Sequence, residues 1–113
     1  MRFTLICGYI FGAKIAKMKL LTKANLKALP AQGSTRDDGM DAIAQVKFFT
    51  PDSFWTWYAV EYNPERKIFY GLVDGLAKEI GYWGLEELEI IKGPFGMKIE
   101  RDRHFKPTPL REL

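Results

Sequence analysis

Apolar and polar residues alternate most regularly in the middle of the chain, and this alternation predicts a β-strand at the centre of a sheet. Because successive side chains of a strand point to opposite faces, residues 54–62 divide into two sets. One set contains Phe54, Thr56, Tyr58, Val60 and Tyr62, and the other contains Trp55, Trp57, Ala59 and Glu61. Both sets carry large rings, so either the strand is buried on both faces or one face binds a partner. We expect the Phe54/Tyr58/Tyr62 face to belong to the core and the Trp55/Trp57/Glu61 face to meet a partner.

Shorter apolar runs separated by turn-forming residues predict the other elements. We expect two short helices, over 23–29 with Thr22 as N-cap and over 85–91. Loops or turns are expected over 30–41, 51–53 and 63–67. The remaining strands are expected over residues 43–50, 68–73, 80–83 and 97–101. Together these elements predict a single α+β domain with a three- to five-stranded, mainly antiparallel sheet and two short helices.

Aromatic residues are concentrated in this region. Eleven of the sixteen lie between Phe48 and Trp83. Aromatic side chains bury large areas and dominate both protein cores and interfaces. The block therefore predicts a core, a binding face, or both.

The net charge changes when the first seventeen residues are considered separately. Of the 17 basic residues in the chain, Arg2, Lys14 and Lys17 lie in residues 1–17, which contain no acid. The 14 basic residues that remain equal the 14 acidic residues. A neutral domain argues against nucleic-acid binding, which relies on an excess of basic side chains.

Residues 1–17 resemble a weak signal peptide, because a charged start precedes an apolar stretch that Gly8 and Gly12 interrupt. We favour a natural start at Met18, with residues 1–17 as an upstream extension and 18–113 as the domain. An export signal, or a strand or tail that packs on the domain, are the alternatives. Cys7 is the only cysteine and lies outside a lipoprotein context. The apolar stretch is too short to span a bilayer, and we expect a cytoplasmic location.

Four acidic residues at predicted turns or strand ends form the first set with possible chemistry: Asp52, Glu61, Asp74 and Asp102. Paired carboxylates can hold a divalent cation or divide acid and base roles. Their irregular spacing carries no metal signature, however, and aspartate is common in turns for backbone reasons. We therefore predict neither a metal site nor a cofactor.

The second set lies in residues 100–105 and contains the only histidine, His104, beside Arg101 and Arg103. A single histidine could act as a base or bind an anion, but it cannot form a multi-histidine metal site. Ion pairs at the end of a strand, with Phe105 in the core, are the simpler interpretation. No serine or cysteine has the context of a catalytic nucleophile.

A third set combines rings with basic residues and could stack nucleic-acid bases: Trp55, Trp57 and Tyr58 with Lys47 and Lys67. The neutral charge favours a protein partner instead, because Trp and Tyr are enriched at protein–protein hot spots.

Four blocks of the chain resemble the domain of unknown function 2958 family, and they cover nearly all of residues 18–113. They read MKLLT from Met18, then KFFTPDSFWTWYAVE, FYGLVDGLAKEIGYWGLEELE and GPFGMKIERDRHFKP. The chain departs from the family pattern at Gly84, where a helix-capping serine is usual. The resemblance implies a bacterial accessory protein of plasmids and other mobile elements, found beside antirestriction or conjugation genes. It implies no established activity or catalytic residue.

The leading hypothesis is a cytoplasmic, non-catalytic module that binds a protein partner. Its candidate binding residues are Trp55, Trp57, Glu61, Asp52, Asp74, Arg101, Asp102 and His104. One alternative is a small metal-dependent enzyme, with nucleic acid as a possible substrate, built on Asp52, Glu61, Asp74, Asp102 and His104. The other is a nucleic-acid-processing or antirestriction factor, the latter acting by mimicry of DNA. DNA mimicry needs an acidic surface, which a neutral domain does not predict.

Overall fold

A computed structural model describes residues 20–113, and the predictions for residues 1–17 lie outside this range. The described chain is an α+β domain, as predicted from the sequence. Its two α-helices are α1 (Lys23–Ala28) and α2 (Leu85–Ile90), and short 3-10 helices cover Arg36–Asp41 and Leu110–Glu112. Its strands are β1 (Ile43–Ala44), β2 (Val46–Phe49), β3 (Thr56–Asn63), β4 (Ile68–Asp74), β5 (Lys78–Gly84), β6 (Glu100–Arg101) and β7 (Thr108–Pro109).

Five strands form the main sheet in the order β5-β4-β3-β2-β6, with every neighbouring pair antiparallel. A tight turn joins β3 to β4: the Asn63 side-chain oxygen accepts the N–H groups of Glu65 and Arg66 at 3.0 and 3.1 Å. Strands β1 and β7 form a separate antiparallel pair. Strands β2 to β5 thus follow from local hairpins, as the alternating pattern predicts, whereas β6 joins β2 from a distant part of the chain.

Side chains close in sequence cap the N-terminus of each α-helix. Thr22 and Asn25 bond reciprocally at the start of α1, where each side-chain oxygen accepts the other residue's backbone N–H at about 3 Å. At α2 the N-cap is Gly84, whose N–H is accepted by Glu87 at 2.9 Å. The glutamate therefore supplies half of a capping box whose other half needs a side chain that glycine lacks.

Three predicted elements differ in extent. The expected strand over 43–50 is divided, because Ile43–Ala44 pairs with β7 while Val46–Phe49 pairs with β3 and β6. The loop expected over 30–41 ends in a 3-10 helix interrupted at Gly39, whose φ is 55°. The strand expected over 97–101 is shortened to β6, since the preceding residues fold around Asp52.

A β-bulge in β3 changes which side chains share a face. The register with β4 shifts between Ala59, which lies opposite Gly71, and Glu61, which lies opposite Tyr70. Val60 is the extra residue, and beyond it the alternation of side chains reverses. Tyr62 consequently lies on the same face as Trp57, whereas Glu61 lies on the face of Tyr58.

Both faces of the sheet are covered. The first face carries an aromatic cluster in which the ring of Phe69 lies 4.6 Å from Tyr62, 5.4 Å from Phe48 and 5.5 Å from Trp83. Leu88 of α2 packs into the same cluster. On the second face, a smaller cluster is closed by the C-terminal segment: Ala42, Ala44, Val60, Leu72 and Leu110.

The predicted assignment of core and partner faces is therefore wrong for several residues. Trp57 and Glu61 are buried, with 6% and 2% of their surfaces exposed, whereas 62% of Phe54 is exposed. Tyr62 is buried as predicted, but on the opposite face from the one expected. The physical reason is the bulge, combined with a sheet that packs on both sides.

Candidate functional site

Three turns converge at one end of the sheet. The register of β3 with β4 places Thr56 opposite Asp74, so the β2–β3 turn and the β4–β5 turn lie at the same end. The backbone at Gly75 lies against the indole of Trp55, since a Cβ at Gly75 would approach that ring to 2.2 Å. Trp55 also stacks on Phe54, with ring centroids 6.3 Å apart. Trp55 thus joins the two turns.

The third turn, between α2 and β6, is folded around the carboxylate of Asp52. One carboxylate oxygen of Asp52 accepts the N–H groups of Phe95 at 2.8 Å and of Met97 at 3.3 Å. Gly93 lies so close that a Cβ there would be 1.6 Å from the other oxygen. Asp52 therefore positions this loop rather than facing a ligand.

Each of the three turns presents at least one large apolar side chain to solvent. Leu76 and Phe95 are 88% and 86% exposed, and Phe54 and Met97 are 62% and 46% exposed. We call these four residues the apolar end. A folded chain normally buries large apolar side chains in its core. Several that stay exposed on neighbouring turns of a small domain therefore indicate an interaction site.

Lysines surround the apolar end. The backbones of Lys92 and Lys98 pair at the base of the Phe95 loop, and Lys78 follows the Leu76 turn. Within residues 20–113, Lys92 and Lys98 form no ion pair with a carboxylate. The Lys78 ammonium donates to the main-chain oxygen of Leu113 at 2.8 Å.

Residues 100–104 line a separate, open cleft of about 340 Å³ on the sheet edge, together with Lys47 and Phe49. The Lys47 ammonium lies 3.7 Å from one oxygen of Asp102, and the other oxygen accepts the backbone N–H of His104 at 2.9 Å. The Arg101 guanidinium donates to the Leu20 carbonyl at 2.9 Å. Lys47, Arg101 and Asp102 thus bind groups of the domain itself.

Tyr58 lies beside this cleft on the second face. Its ring packs on Phe105, at 5.8 Å between centroids, and the Lys47 ammonium lies 5.9 Å from its centroid. Burial raises the pKa of the Tyr58 hydroxyl, and the negative charges of Asp74 and Asp102 raise it further. The phenol consequently stays protonated and is a poor base.

Glu61 is enclosed by the loop that precedes β1. Its carboxylate accepts N–H groups from Gly33 at 2.6 Å and from Thr35 at 2.9 Å, and it also accepts the Thr35 hydroxyl. Burial by itself raises the pKa of Glu61, but these hydrogen bonds and the charge of Arg36 outweigh it and hold the pKa below its ordinary value. The residue is a buried anion with satisfied partners, which is a structural arrangement.

The candidate residues predicted from the sequence thus fall into three places. Asp52, Trp55 and Asp74 lie at the end with the three turns, whereas Arg101, Asp102 and His104 line the cleft. Trp57 and Glu61 are inside the domain. Nowhere in residues 20–113 do three His, Cys, Asp or Glu side chains lie close enough to share a metal ion. The five residues of the enzyme hypothesis do not form one centre.

The apolar end contains residues that sequence reasoning missed. The alternating pattern places Phe54 in the core, and Met97 begins the strand expected over 97–101. Neither Leu76 nor Phe95 is among the candidate binding residues. The available signal was an apolar residue inside turn sequences, as in PDSF, DGLA and GPFG. Turns lie on the surface, so a large apolar side chain there is exposed unless another segment covers it.

Comparisons with known proteins identify the family. No curated protein and no solved structure matches the chain significantly. In residues 20–113, the helices lack the length and apolar character needed to cross a membrane. The family described as Protein of unknown function (DUF2958) matches residues 20–111, in agreement with the resemblance of the sequence blocks. The chain therefore belongs to the DUF2958 family.

Proposed function

We propose that this protein is a non-catalytic module that binds a protein partner through the apolar end. The observation that carries the proposal is the exposure of Phe54, Leu76, Phe95 and Met97 on three adjoining turns. Large apolar groups that remain in water are a cost to the free chain, and a partner that covers them recovers the free energy of burial, about 25 cal/mol per Å².

The turns that carry the apolar side chains are ordered before any partner arrives. Asp52 holds the Phe95 loop by two hydrogen bonds, and the Trp55 ring supports both Phe54 and the turn at Gly75. A surface that is already ordered loses less conformational entropy on binding. Rigid aromatic anchors of this kind are typical of binding hot spots.

The surrounding lysines favour a partner whose contact surface has an apolar centre and an acidic rim. Lys92 and Lys98 form no ion pair with carboxylates of residues 20–113, so they are available to acidic groups. Rim charges of this type mainly accelerate association. In keeping with the resemblance described above, we also propose that the module serves a mobile element in the bacterial cytoplasm.

Photo-crosslinking at position 95 tests this proposal. The full chain carrying benzoylphenylalanine in place of Phe95 is expressed in native host cells and irradiated, and its adducts are identified by mass spectrometry. Benzoylphenylalanine in place of Leu26, an exposed residue of α1, is the matched control. We expect a protein adduct that depends on position 95 and is absent at position 26.

Affinity for that purified protein is then measured with two substituted chains. Phe95→Ser should weaken binding at least about tenfold, which is the usual effect of removing a hot-spot ring, while Leu26→Ser should leave it unchanged. Circular dichroism confirms that both chains are folded. Adducts with lipids alone, adducts independent of position, or equal affinity of all chains would contradict the proposal.

A further inference from the structure

Within residues 20–113, strand β5 is the edge strand at one side of the main sheet. It pairs with β4 through all seven of its residues, from Lys78 opposite Asp74 to Gly84 opposite Ile68. On its other side no described strand pairs with it, and no backbone–backbone hydrogen bond joins residues 78–84 to any described segment other than β4. Only at its end is the edge occupied, where the Gly84 N–H is accepted by the Glu87 carboxylate. An edge of this length is a template on which another strand can pair.

The edge also exposes two apolar side chains on the second face of the sheet. Ile80 is 43% exposed and Tyr82 is 54% exposed. The Tyr82 ring packs against Tyr70 with centroids 5.2 Å apart, so its position is set by the strand beside it. A strand added to this edge would cover both side chains without any change in the domain.

Gly81 lies at the middle of β5, and no contact within the described chain requires a glycine at this position. A Cβ built at Gly81 meets no atom within 4 Å, and its φ is not in the left-handed region. Its neighbour across the ladder, Gly71, differs, because a Cβ there would lie 2.0 Å from the carbonyl oxygen of Tyr58. A glycine inside a strand weakens it, and often marks the close approach of another backbone.

We propose that a second copy of this chain pairs with β5, antiparallel, about a twofold axis at Gly81. In this register Ile80 lies opposite Tyr82 of the partner subunit, and the twofold axis repeats the pair. Pairs of β-branched and aromatic side chains stabilise antiparallel strands. Lys78 lies opposite Gly84 of the partner subunit, and Glu79 opposite Trp83 of the partner subunit, so no like charges face each other.

Self-pairing is favoured over a foreign strand because β5 is complementary to itself. Two residues directly opposite each other in an antiparallel pair have side chains on the same face of the sheet. A twofold axis that relates two copies of β5 must therefore lie at a residue and not between two residues. Only the axis at Gly81 pairs all seven residues; an axis at Ile80 or at Tyr82 leaves two of them unpaired. Twofold dimers are also the commonest oligomers, and this one would join two five-stranded sheets into one.

Mass measurement in solution gives the first test. Light scattering or sedimentation equilibrium should find twice the 13.0 kDa chain mass for the full chain. Ile80→Lys and Tyr82→Lys each place a charge in the paired face and should raise the dimer dissociation constant at least about tenfold. Leu26→Lys, on the exposed surface of α1, is the control and should stay dimeric. Circular dichroism and thermal unfolding verify that each chain is folded.

Disulfide cross-linking tests the register directly. In a chain whose own thiol is removed by Cys7→Ser, Gly81→Cys brings two Cα atoms to about 4.5–5.5 Å across the axis, within the range of a disulfide. Lys78→Cys places the two sulfurs about 20 Å apart, since six residues of strand separate them. Mild oxidation should therefore cross-link position 81 at least tenfold faster than position 78. A monomeric full chain at all accessible concentrations, or equal cross-linking rates, would overturn the dimer.

Discussion

The carboxylate of Glu61 lies beneath the loop that contains Gly33 and Thr35, and it bonds to the backbone of both residues. A charged side chain is rarely so buried unless its hydrogen-bonding capacity is used. Here the buried charge holds a loop with little apolar content of its own against the sheet. The same glutamate was a candidate binding residue from the alternating pattern, and burial removes it from the surface.

Glu61→Gln is expected to destabilise the domain. The amide keeps the shape but removes the charge, and its NH₂ group cannot accept the donors that the carboxylate satisfies. We expect the free energy of unfolding at pH 7 to fall by about 1–3 kcal/mol in urea titrations. Glu65→Gln, in the exposed β3–β4 turn, is the matched control and should change it little. An equal effect at both positions would contradict the role of Glu61.

The difference between wild type and Glu61→Gln should also depend on pH. Because the pKa of Glu61 is lower in the folded protein, its stabilisation is complete above the ordinary value of 4.5 and is lost as the pH falls through the lower folded value. Urea titrations from pH 7 to acid should show the stability difference shrinking below pH 4.5. A difference that stays constant across this range would exclude the charge as its cause.

Two neighbouring aromatic residues should respond differently to truncation. Trp57 is buried in the cluster on the first face of the sheet, so Trp57→Ala should lower the free energy of unfolding by about 3–5 kcal/mol. Phe54 is mostly exposed, so Phe54→Ala should cost less than about 1 kcal/mol. Chemical denaturation of both chains measures the contrast. Similar losses would mean that Phe54 is part of the core, as the alternation predicts.

The bounds of the strands are predicted from the sequence more accurately than the faces on which their side chains lie. Turn residues and alternating runs locate β3, β4, β5 and both helices to within a few residues. The bulge at Val60 was not predicted, because an extra residue in one strand is defined by the register with its neighbour. One such residue reverses every later side chain in the strand, and the predicted faces beyond residue 60 were wrong for this reason.

Gly71 and Gly81 lie opposite each other in the β4–β5 ladder and give a matched pair of variants. Gly71→Ala forces a methyl group against the Tyr58 carbonyl, 2.0 Å away, and should destabilise the domain by about 1–3 kcal/mol or more. Within one chain, Gly81→Ala enters open space, so the stability of the domain itself should be unchanged or should rise by up to about 1 kcal/mol. Thermal unfolding of the two chains distinguishes them, and equal melting temperatures would show that the ladder does not constrain Gly71.

At the scale of the whole molecule, the C-terminal segment closes the second face of the sheet. Leu110 is 1% exposed and its N–H donates to the Ala42 carbonyl at 2.9 Å, beside the β1–β7 pair. Arg111 adds an exposed ion pair to Asp41 at 2.7 Å, which contributes little by itself. No element is predicted from the sequence for this segment, since the contacts that bury it come from residues about forty to seventy positions earlier.

Leu110→Ala should therefore act as a core substitution although it lies near the end of the chain. Removing a fully buried leucine leaves a cavity, and we expect a loss of about 2–5 kcal/mol in denaturant titrations. Leu26→Ala removes the same groups from a position that is 46% exposed and should cost less than about 1 kcal/mol. Comparable losses at the two positions would contradict the closing role of the C-terminal segment.

Local patterns in the chain were sufficient to establish an antiparallel α+β domain, its hairpins, the Thr22 cap and the family, because hydrogen bonds within hairpins and helices depend on residues close in sequence. The face of each ring, the burial of Glu61 and the apolar end depended on the tertiary structure. Those features arise where distant segments meet: a loop at residues 33–35 encloses Glu61, and three turns assemble around Trp55 and Asp52. Alternation specifies that two faces differ, but only packing determines which side chains remain in water.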